Sequence, residues 1–359
     1  MCHNTPHRHS IFCILPPHML DSLAQRGTPA QRREALKTLQ TDNTLRTLRA
    51  AQPQFPTLRS RPHPGELVQE GHKQRTISDA NSTEQLPGTV KRVEGAPPTG
   101  DLAVDEAYDG LGATFDFYWQ VFNRNSIDDE GLPLNATVHY GSGYDNAFWD
   151  GQQMVFGDGD GDLFNRFTIS LDVIGHELTH GVTQDEARLV YLFQAGALNE
   201  SVSDVFGSLI KQFILNQTAD QADWLIGAGL FTSKVQGVAL RSMKAPGTAY
   251  DDPVLGKDPQ PAHMSAYVRT MQDNGGVHIN SGIPNHAFYL AATAIGGYAW
   301  EKTGRIWYET LRSSRLRTTA GFRSFANITV AQAGQLFGNG GTEQQAVRDA
   351  WQEVGIVVS

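Results

Sequence analysis

The residues best suited to chemistry lie in His176-Glu177-Leu178-Thr179-His180, where two imidazoles stand four residues apart and a carboxylate follows the first. Four residues turn an α-helix by about 400°, so both rings leave from nearly the same face. Two imidazole nitrogens on one face are suited to bind a single zinc ion. The spacing therefore predicts a helix over residues 171–186 that carries the zinc ligands His176 and His180.

The segment Asn199-Glu200-Ser201-Val202-Ser203-Asp204 supplies a third ligand. Glu200 offers an anionic oxygen, which completes a two-histidine, one-glutamate set and leaves the fourth position for water. Asp204 lies one turn further along and can accept a hydrogen bond from the outer nitrogen of one ligating histidine, while Asn199 can hold the other. The segment therefore predicts one catalytic zinc site with two residues that orient its ligands.

Glu177 is the predicted general base. Its position directly after the first histidine aims it at the zinc-bound water, from which it can take a proton as the water attacks a carbonyl. It can then pass that proton to the leaving nitrogen. The alternative is an ordinary exposed glutamate on a helix surface.

A second constellation, Asp273-Asn274-Gly275-Gly276-Val277-His278, ends in a histidine. The two glycines allow the backbone to bend so that His278 reaches over the cleft. Asp273 can pair with His278 and keep it protonated, which makes it a donor for a developing oxyanion. Taken alone, the alternative is a loop histidine without a role.

Composition places the chain among ordinary globular proteins. Of 359 residues, 40% are hydrophobic and 19% charged, which suffices for two domains and an appendage. The net charge of -9 is uneven, because residues 1–60 carry eight Lys or Arg against three acids, a net +5, which leaves -14 for residues 61–359. This uneven charge predicts a basic head docked on an acidic body, and the alternative is that the basic residues form a solvated helix surface. The negative charge of the body argues against nucleic acid as a partner.

The two cysteines, Cys2 and Cys13, build no disulfide framework, and no apolar run reaches the ~18 residues of a membrane span. The apolar run of residues 11–15 is shorter than the ~7–15 residues of a signal-peptide core. We therefore expect secretion by a route without a standard signal peptide or, as the alternative, residence in the cytoplasm.

Hydrophobic periodicity divides the chain into three parts. Residues 11–51 are a small helical unit with a helix start at Thr28, and residues 52–75 are a proline-rich linker. Strands predominate over residues 76–160, and helices predominate from residue 169 onward, with helices predicted over residues 197–216 and 282–295.

Several motifs in one order resemble the thermolysin family of metalloendopeptidases, over residues 76–359. They are the two zinc segments, Asn146-Ala147-Phe148-Trp149, Gly157-Asp158-Gly159-Asp160-Gly161, Leu240-Arg241-Ser242-Met243 and Asn274-Gly275-Gly276-Val277-His278-Ile279-Asn280-Ser281-Gly282. The head resembles the short pro-segment of the protealysin branch of that family, whose proline-proline-leucine signature appears here as Pro16-Pro17-His18-Met19-Leu20.

The resemblance implies an α+β fold with two lobes, strand-rich at the N-terminal side and helical at the C-terminal side, with the zinc helix between them. We expect a pro-segment and linker over residues 1–60, cleaved somewhere in 50–75, an N-terminal peptidase lobe over 61–190 and a C-terminal helical lobe over 191–359.

The resemblance also implies roles for single residues. Tyr191 and His278 would stabilise the tetrahedral intermediate, with Asp273 beside them. Asn146 and the backbone of Ala147 would bind the substrate main chain, with Trp149 beside them, and Arg241 would bind the carbonyl beyond the scissile bond. An apolar pocket after that bond, which predicts cleavage before Leu, Phe, Ile or Val, would be lined by Phe164, Phe167, Val173, Ile226, Leu230 and Leu240. Ordinary core packing is the alternative for each of these six.

A departure from the family concerns calcium. Asp172 and Asp223 remain from a double calcium site, but Lys211, Leu225 and Ala228 stand where acids are expected. Since a cation cannot ligate calcium, we expect that the calcium pair is absent and that Lys211 pairs with Asp172 or Asp223. The Gly/Asp loop of residues 157–162 lacks EF-hand spacing and is interpreted as a turn-rich loop, the alternative being another calcium site.

The head is expected to act as an intramolecular inhibitor. Residues around Phe12 to Leu20, including Pro16 and Pro17, would fill the cleft, and the alternative is a thiolate of Cys13 or Cys2 on the open zinc position. We expect a monomer that acts on protein and peptide substrates and binds no membrane.

The predicted function is a zinc-dependent neutral endopeptidase made as a latent precursor. One rival is a peptide-binding or scaffold protein that lost turnover, against which the intact Glu177, His278 and ligand set argue. Another is a zinc hydrolase for a non-peptide bond, against which the main-chain clamps Asn146 and Arg241 argue.

Overall fold

A computed structural model describes residues 12–51 and 71–358, with side chains from 13 to 42 and from 71 to 358. The strands are β1 (Phe12–Cys13), β2 (Arg75–Asp79), β3 (Thr89–Val93), β4 (Leu134–Val138), β5 (Ala147–Trp149), β6 (Gln153–Phe156), β7 (Leu225–Ile226), β8 (Arg241–Ser242), β9 (Asp251–Asp252) and β10 (Gly256–Lys257). The helices are α1 (Pro17–Arg26), α2 (Pro29–Ala51), α3 (Leu102–Phe122), α4 (Leu171–Glu186), α5 (Phe193–Leu215), α6 (Asp273–Asn280), α7 (Gly282–Ile295), α8 (Thr303–Leu311), α9 (Phe322–Phe337) and α10 (Thr342–Glu353), with short 3-10 turns at Phe167–Ile169 and Met264–Ala266.

The N-terminal lobe contains a six-stranded sheet in the order β1-β5-β6-β4-β2-β3. β4 lies parallel to both β2 and β6, and the other neighbours are antiparallel. β1 belongs to the head of the chain, yet it completes the sheet by pairing with β5, so that Phe12 lies opposite Trp149 and Cys13 opposite Phe148. The head is therefore part of the sheet that forms one wall of the cleft.

α4 and α5 pack closely because glycines stand where they meet. A Cβ atom on Gly175 would lie 3.2 Å from the Cα of Gly207, and one on Gly207 would lie 2.4 Å from the carbonyl oxygen of Asp172. Both helices are buried over most of their length. The close approach brings the face of α4 that carries His176 against the face of α5 that carries Glu200.

The head docks through apolar side chains. Met19, Leu20 and Leu23 of α1 are at most 1% exposed and join the same core as α3, α4 and α5. α2 begins with reciprocal capping, since the Gln31 N–H donates to Thr28 Oγ1 and the Thr28 N–H donates to Gln31 Oε1. No lysine or arginine of residues 13–42 pairs with a carboxylate of the described body, so the described head docks through apolar burial and hydrogen bonds rather than through the expected charge pairing.

The α+β class, the two lobes and the helix start at Thr28 agree with the sequence-based expectation. α4 and α7 have the predicted bounds, whereas α5 begins at Phe193, four residues before the expected Ala197. No helix within the described residues is long and apolar enough to cross a membrane.

Candidate metal centre and active site

His176, His180 and Glu200 meet at one buried point between α4 and α5. Their donor atoms all lie within 4.8 Å of one another, and the two imidazole Nε2 atoms are 3.0 Å apart. Each Nε2 atom lies 3.5 Å from an oxygen of Glu200. Within the described part of the chain, these three residues form the one such cluster of histidine, cysteine and acidic side chains.

The outer nitrogen of each ring is already engaged. His176 Nδ1 donates to Asp204 Oδ1 over 2.8 Å, and His180 Nδ1 donates to Asn199 Oδ1 over 2.8 Å, with Ser203 Oγ 3.0 Å away. Since Nδ1 carries the proton, Nε2 of each ring keeps its lone pair for a ligand. Burial, followed by the neighbouring His176, lowers the pKa of His180 well below its usual range, which favours the neutral ring.

The donor set fits zinc. Two lone pairs face each other across 3.0 Å, and Glu200 Oε2 is buried without a hydrogen-bond donor. An arrangement of lone pairs and an anionic oxygen without donors is unfavourable unless a cation lies among them. Two neutral imidazoles and one carboxylate are the ligands that catalytic zinc takes.

Glu177 is buried beside this cluster rather than exposed on a helix surface. Its Oε2 accepts the Trp149 N–H over 3.1 Å, while its Oε1 has no hydrogen-bond partner. Burial, followed by the charge of Glu200, raises the pKa of Glu177 well above its usual range. The carboxyl group is therefore fixed by one oxygen and free at the other, as a proton-transfer group requires.

His278 also lies beside the cluster, with its Nε2 3.6 Å from Glu200 Oε1. Its Nδ1 donates to Asp273 Oδ1 over 2.6 Å, and its Nε2 lies 3.1 Å from the hydroxyl of Tyr191, which donates to Glu200 Oε1. Burial lowers the pKa of His278, but the Asp273 carboxylate outweighs it and raises that pKa to about 9. The ring is accordingly a cationic donor near neutral pH.

The glycines before His278 set its position. Gly275 and Gly276 adopt φ of 88° and 75°, and Asn274 also lies in the left-handed region with φ 50°. A Cβ on Gly275 would approach the ring of Phe193 to 2.3 Å. The reversal lets the Asp273 carboxylate accept both the backbone N–H and the ring N–H of His278.

Arg241 of β8 connects the cluster to the chain that occupies the cleft. Its Nε and Nη2 donate to the two oxygens of Asp204 over 2.9 and 2.8 Å, and its Nη1 donates to the Ile14 carbonyl over 3.1 Å. Asn285 also donates to Asp204, over 2.8 Å. Asn285 was not expected from the sequence, because nothing local distinguishes it from other polar residues on α7.

Asn146 and Ala147 hold the main chain of the head. Asn146 Oδ1 accepts the Leu15 N–H over 3.0 Å, and the Ala147 carbonyl accepts the Ile14 N–H over 3.3 Å. Asp42 of α2 accepts from Asn146 Nδ2 over 3.0 Å and so fixes the amide. Asp42 was also missed, since its partner lies 104 residues away.

The six apolar residues expected to line the pocket are all buried in one core. Leu230 and Leu240 flank Gly227, where an added Cβ would lie 3.0 and 2.8 Å from them, and Phe164 and Phe167 have ring centroids 6.2 Å apart. Val173 lies one turn before Glu177, and Ile226 pairs with Arg241 across β7 and β8. Ile14 and Leu15 of the head belong to the same core.

Lys211 lies where α4, α5 and β7 meet. Its Nζ is 2.8 Å from Asp172 Oδ2 and 3.0 Å from Asp223 Oδ1, and it donates to the Leu225 carbonyl over 3.1 Å. Burial lowers the pKa of Lys211, but the charge of Asp172 outweighs it and raises that pKa above the usual 10.5. A single ammonium group therefore joins both acids that the sequence singled out.

The structure contradicts a thiol lock by Cys13. Its side chain packs with Tyr140, Tyr144 and Phe148, and its sulfur is not among the atoms that cluster with the zinc ligands. The pairing of β1 with β5 is the reason, because it presents the carbonyl of Cys13 to His278 and directs the thiol elsewhere. Cys2 lies outside the described residues.

Pro16 and Pro17 mark the change from strand to helix. Pro16 is buried and precedes α1, and its carbonyl accepts the Met19 N–H over 3.0 Å. Pro17 is the first residue of α1, where its missing N–H leaves no bond unmade. The two prolines therefore lie where the extended segment of the head ends and α1 begins.

Two family models together match most of the chain. The model described as the thermolysin metallopeptidase catalytic domain matches residues 65–184, and the model described as its alpha-helical domain matches residues 187–356.

Similar proteins cover nearly the whole chain. An extracellular metalloprotease of Pectobacterium carotovorum is 54% identical over 348 residues, 97% of each chain, and protease PrtS of Photorhabdus is 50% identical over 96% of this chain and 92% of its own. The solved structure of the protealysin precursor of Serratia proteamaculans is 55% identical, with a TM-score of 0.87 over 96% of this chain and 100% of its own.

Proposed function

The chain belongs to the thermolysin family of zinc metallopeptidases, and we propose from its own contacts how it hydrolyses peptide bonds and how its head keeps it latent. The observation that carries the catalytic proposal is the convergence of His176, His180 and Glu200 beside the free oxygen of Glu177. Zinc, when bound by those three side chains, lowers the pKa of water and polarises a carbonyl group.

Glu177 is the proposed general base. The Trp149 N–H fixes one carboxyl oxygen, so the other is presented to a water molecule at the metal site. Glu177 takes a proton from that water during attack on the carbonyl carbon and later delivers it to the departing nitrogen.

His278 and Tyr191 are the proposed donors to the oxyanion. Both carry N–H or O–H groups beside Glu200, and the Asp273 carboxylate holds His278 in its cationic form. Donors that are already oriented stabilise developing negative charge without reorganisation. Asn146, Ala147 and Arg241 bind the main chain, and Trp149 orients the base.

The residue after the scissile bond is proposed to enter the apolar pocket formed by the six buried residues described above. These side chains are shared with the core that Ile14 and Leu15 enter in the precursor. Burial of an apolar side chain there supports a preference for Leu, Phe, Ile or Val.

The head is proposed to be an intramolecular inhibitor of a monomeric enzyme. Its strand occupies the main-chain contacts of Asn146, Ala147 and Arg241, so no substrate can use them while the head is docked. We propose a head over residues 1–60, cleaved within 50–75, and peptidase lobes over 61–190 and 191–359. Most of that cleavage region lies outside the described residues.

The double calcium site is proposed to be absent. Lys211 occupies the position between Asp172 and Asp223 and supplies the positive charge that a calcium ion would supply. The protein should therefore not depend on calcium at this point of the fold.

Secretion is proposed because the similar proteins of Pectobacterium and of Serratia marcescens are named as extracellular proteases. Fractionation of a producing culture checks this, and protein confined to the cytoplasm would contradict it.

The catalytic proposal predicts the behaviour of a Glu177→Gln variant. With the head removed, the native protein should hydrolyse casein, lose this activity with a zinc chelator, and leave a small ester substrate largely untouched. Glu177→Gln should retain zinc but lose about 10²–10⁴-fold in casein hydrolysis, because the base is gone while the ligands remain. Casein assays with metal analysis provide the measurement.

The exposed acid Glu353 offers a matched control, and Glu353→Gln should keep full activity. Full activity of Glu177→Gln would refute the assignment of the base. Hydrolysis of the ester without casein would favour a non-peptide hydrolase, and binding of casein without turnover would favour a scaffold protein.

A further inference from the structure

The head lies across the cleft with its main chain on the groups that would hold a substrate. The Cys13 carbonyl oxygen lies 3.1 Å from His278 Nε2, which is itself 3.1 Å from the Tyr191 hydroxyl. That hydroxyl donates to Glu200. The carbonyl of Cys13 is thus directed at the cationic donor next to the metal ligands.

The next two residues of the head, Ile14 and Leu15, also form hydrogen bonds with the groups that would hold a substrate main chain. The Ile14 N–H donates to the Ala147 carbonyl over 3.3 Å, and the Ile14 carbonyl accepts from Arg241 Nη1 over 3.1 Å. The Leu15 N–H then donates to Asn146 Oδ1 over 3.0 Å. Consecutive contacts on both sides of one bond fix the direction and the register of the strand.

These contacts place the bond between Cys13 and Ile14 among the groups assigned to oxyanion stabilisation and to main-chain binding. Resting on the proposed function, we propose that Cys13–Ile14 is held as a scissile bond and that the precursor cleaves it within its own chain. One water adds its oxygen to the Cys13 carbonyl carbon, and the bond to the Ile14 nitrogen breaks. Glu177 carries one proton of the water to that nitrogen, and the second proton of the water ends on the same nitrogen, which leaves a carboxylate on Cys13 and an ammonium group on Ile14.

The side chain after this bond suits the apolar pocket. Ile14 is fully buried and belongs to the same core as the residues that line that pocket. The burial of Ile14 is thus compatible with the bond that the main-chain register selects.

The two sides of the cut are held to different extents. Upstream, the described contact with the sheet is β1, only two residues long. Downstream, Met19, Leu20 and Leu23 stay buried, and α1 packs on the body. Cleavage thus separates residues 1–13 from α1, while α1 keeps the residues from Ile14 onward in the cleft until the linker is cut.

The experiment follows the precursor after zinc is added. Intact mass and N-terminal sequencing should show a new N-terminus at Ile14, formed at a rate that does not change on tenfold dilution. The Glu177→Gln precursor should form it at least about 100-fold more slowly. Mixed with head-free active enzyme, that variant should still resist cleavage at this bond, because Cys13 and Ile14 are fully buried.

A second readout does not depend on catalysis. In the zinc-free Glu177→Gln precursor, the amides of Ile14 and Leu15 should exchange with deuterium at least about tenfold more slowly than when the chain is unfolded, because both donate in the cleft. Unprotected amides would overturn the register on which the proposal rests.

The outcomes separate this inference from the proposed function. If head-free enzyme hydrolyses casein while Cys13–Ile14 stays intact in the zinc-loaded precursor, self-cleavage is refuted and the peptidase assignment stands. Equal cleavage rates within one chain and between chains would likewise refute the intramolecular step. If head-free enzyme with zinc fails on casein, the proposed function itself falls.

Discussion

Asp204 is the residue through which the metal ligands and the substrate clamp are joined. One carboxylate accepts from His176, from Arg241 and from Asn285. Burial raises its pKa, but the charge of Arg241 and the hydrogen bond from His176 outweigh burial and hold the pKa of Asp204 well below its usual range. The same anion therefore fixes the ring of His176, a proposed zinc ligand, and the Arg241 guanidinium, which donates to the Ile14 carbonyl.

We expect Asp204→Asn to weaken zinc binding by about 10–100-fold, because the neutral amide no longer fixes the tautomer of His176. The measurement is competition with a chelator in the Glu177→Gln background, which avoids self-digestion. Asp251→Asn, at an exposed position, should leave zinc affinity unchanged. Equal affinities of the native and Asp204→Asn sites would show that the carboxylate does not orient the ligand.

The sequence revealed the residues whose partners lie within a few helical turns. His176 and His180 share a helix face, and Asp204 lies one turn from Glu200, so spacing alone was informative. Asp42 and Asn285 were invisible, because their partners lie 104 and 81 residues away. Contacts of that range depend on the packing of whole elements, about which local pattern carries no information.

At the scale of elements, α4 and α5 form the centre of the site, and Lys211 fastens them to β7. Its ammonium group joins Asp172 of α4, Asp223 before β7 and the carbonyl of Leu225. Asp172 is fully buried and also accepts the Gly227 N–H over 3.0 Å. A buried carboxylate of this kind needs its cation, whether metal or ammonium.

Lys211→Met should lower the free energy of unfolding by about 3–5 kcal/mol, because it leaves the buried charge of Asp172 without a cation. Urea unfolding in the Glu177→Gln background measures the loss, with exposed Lys257→Met as the control. Added calcium should leave the native midpoint unchanged. A calcium-dependent rise in that midpoint, with two bound ions found by metal analysis, would contradict the loss of the site.

Helices with a regular apolar pattern could be predicted from the sequence, whereas irregular or very short elements could not. α4 and α7 were bounded correctly, since their apolar residues recur at helical spacing and glycine follows α7. α6 was not expected as a helix, because Asn274, Gly275 and Gly276 lie in the left-handed region before its regular turn. β1, two residues long, has no periodicity of its own and exists through its pairing with β5.

At the scale of the whole molecule, His18 is a titratable residue in the contact between the head and the body. Its Nε2 lies 3.0 Å from the Tyr250 hydroxyl, and its Nδ1 is buried without a partner. Burial lowers the pKa of His18 from 6.5 to about 4, opposed by Asp273 and assisted by His278 and Arg241. Because the docked ring binds a proton less readily than the free ring, head docking is strongest above pH 6.5 and weakens as pH falls toward 4.

Acid should therefore loosen the head. We expect the amide hydrogen-exchange rates of residues 17–26 in the Glu177→Gln precursor to rise as the pH falls from 6.5 to about 4, after correction for the pH dependence of exchange in an unfolded chain. The corrected rise should be no more than about tenfold per pH unit. His18→Gln can keep a hydrogen bond to Tyr250 without titrating, so the rise should be smaller in that variant. Identical pH profiles for the two proteins would exclude His18 as the origin.

The edge pairing of β5 has a consequence for what the mature enzyme can recognise. Once β1 leaves, the backbone of β5 becomes an open sheet edge, ready to pair with any stretch of chain that is locally extended. A helix or a tightly folded sheet in a target cannot supply such a stretch without unfolding first. The enzyme should thus choose its targets by their conformation, cutting tails, loops and denatured chains while native globular proteins pass untouched.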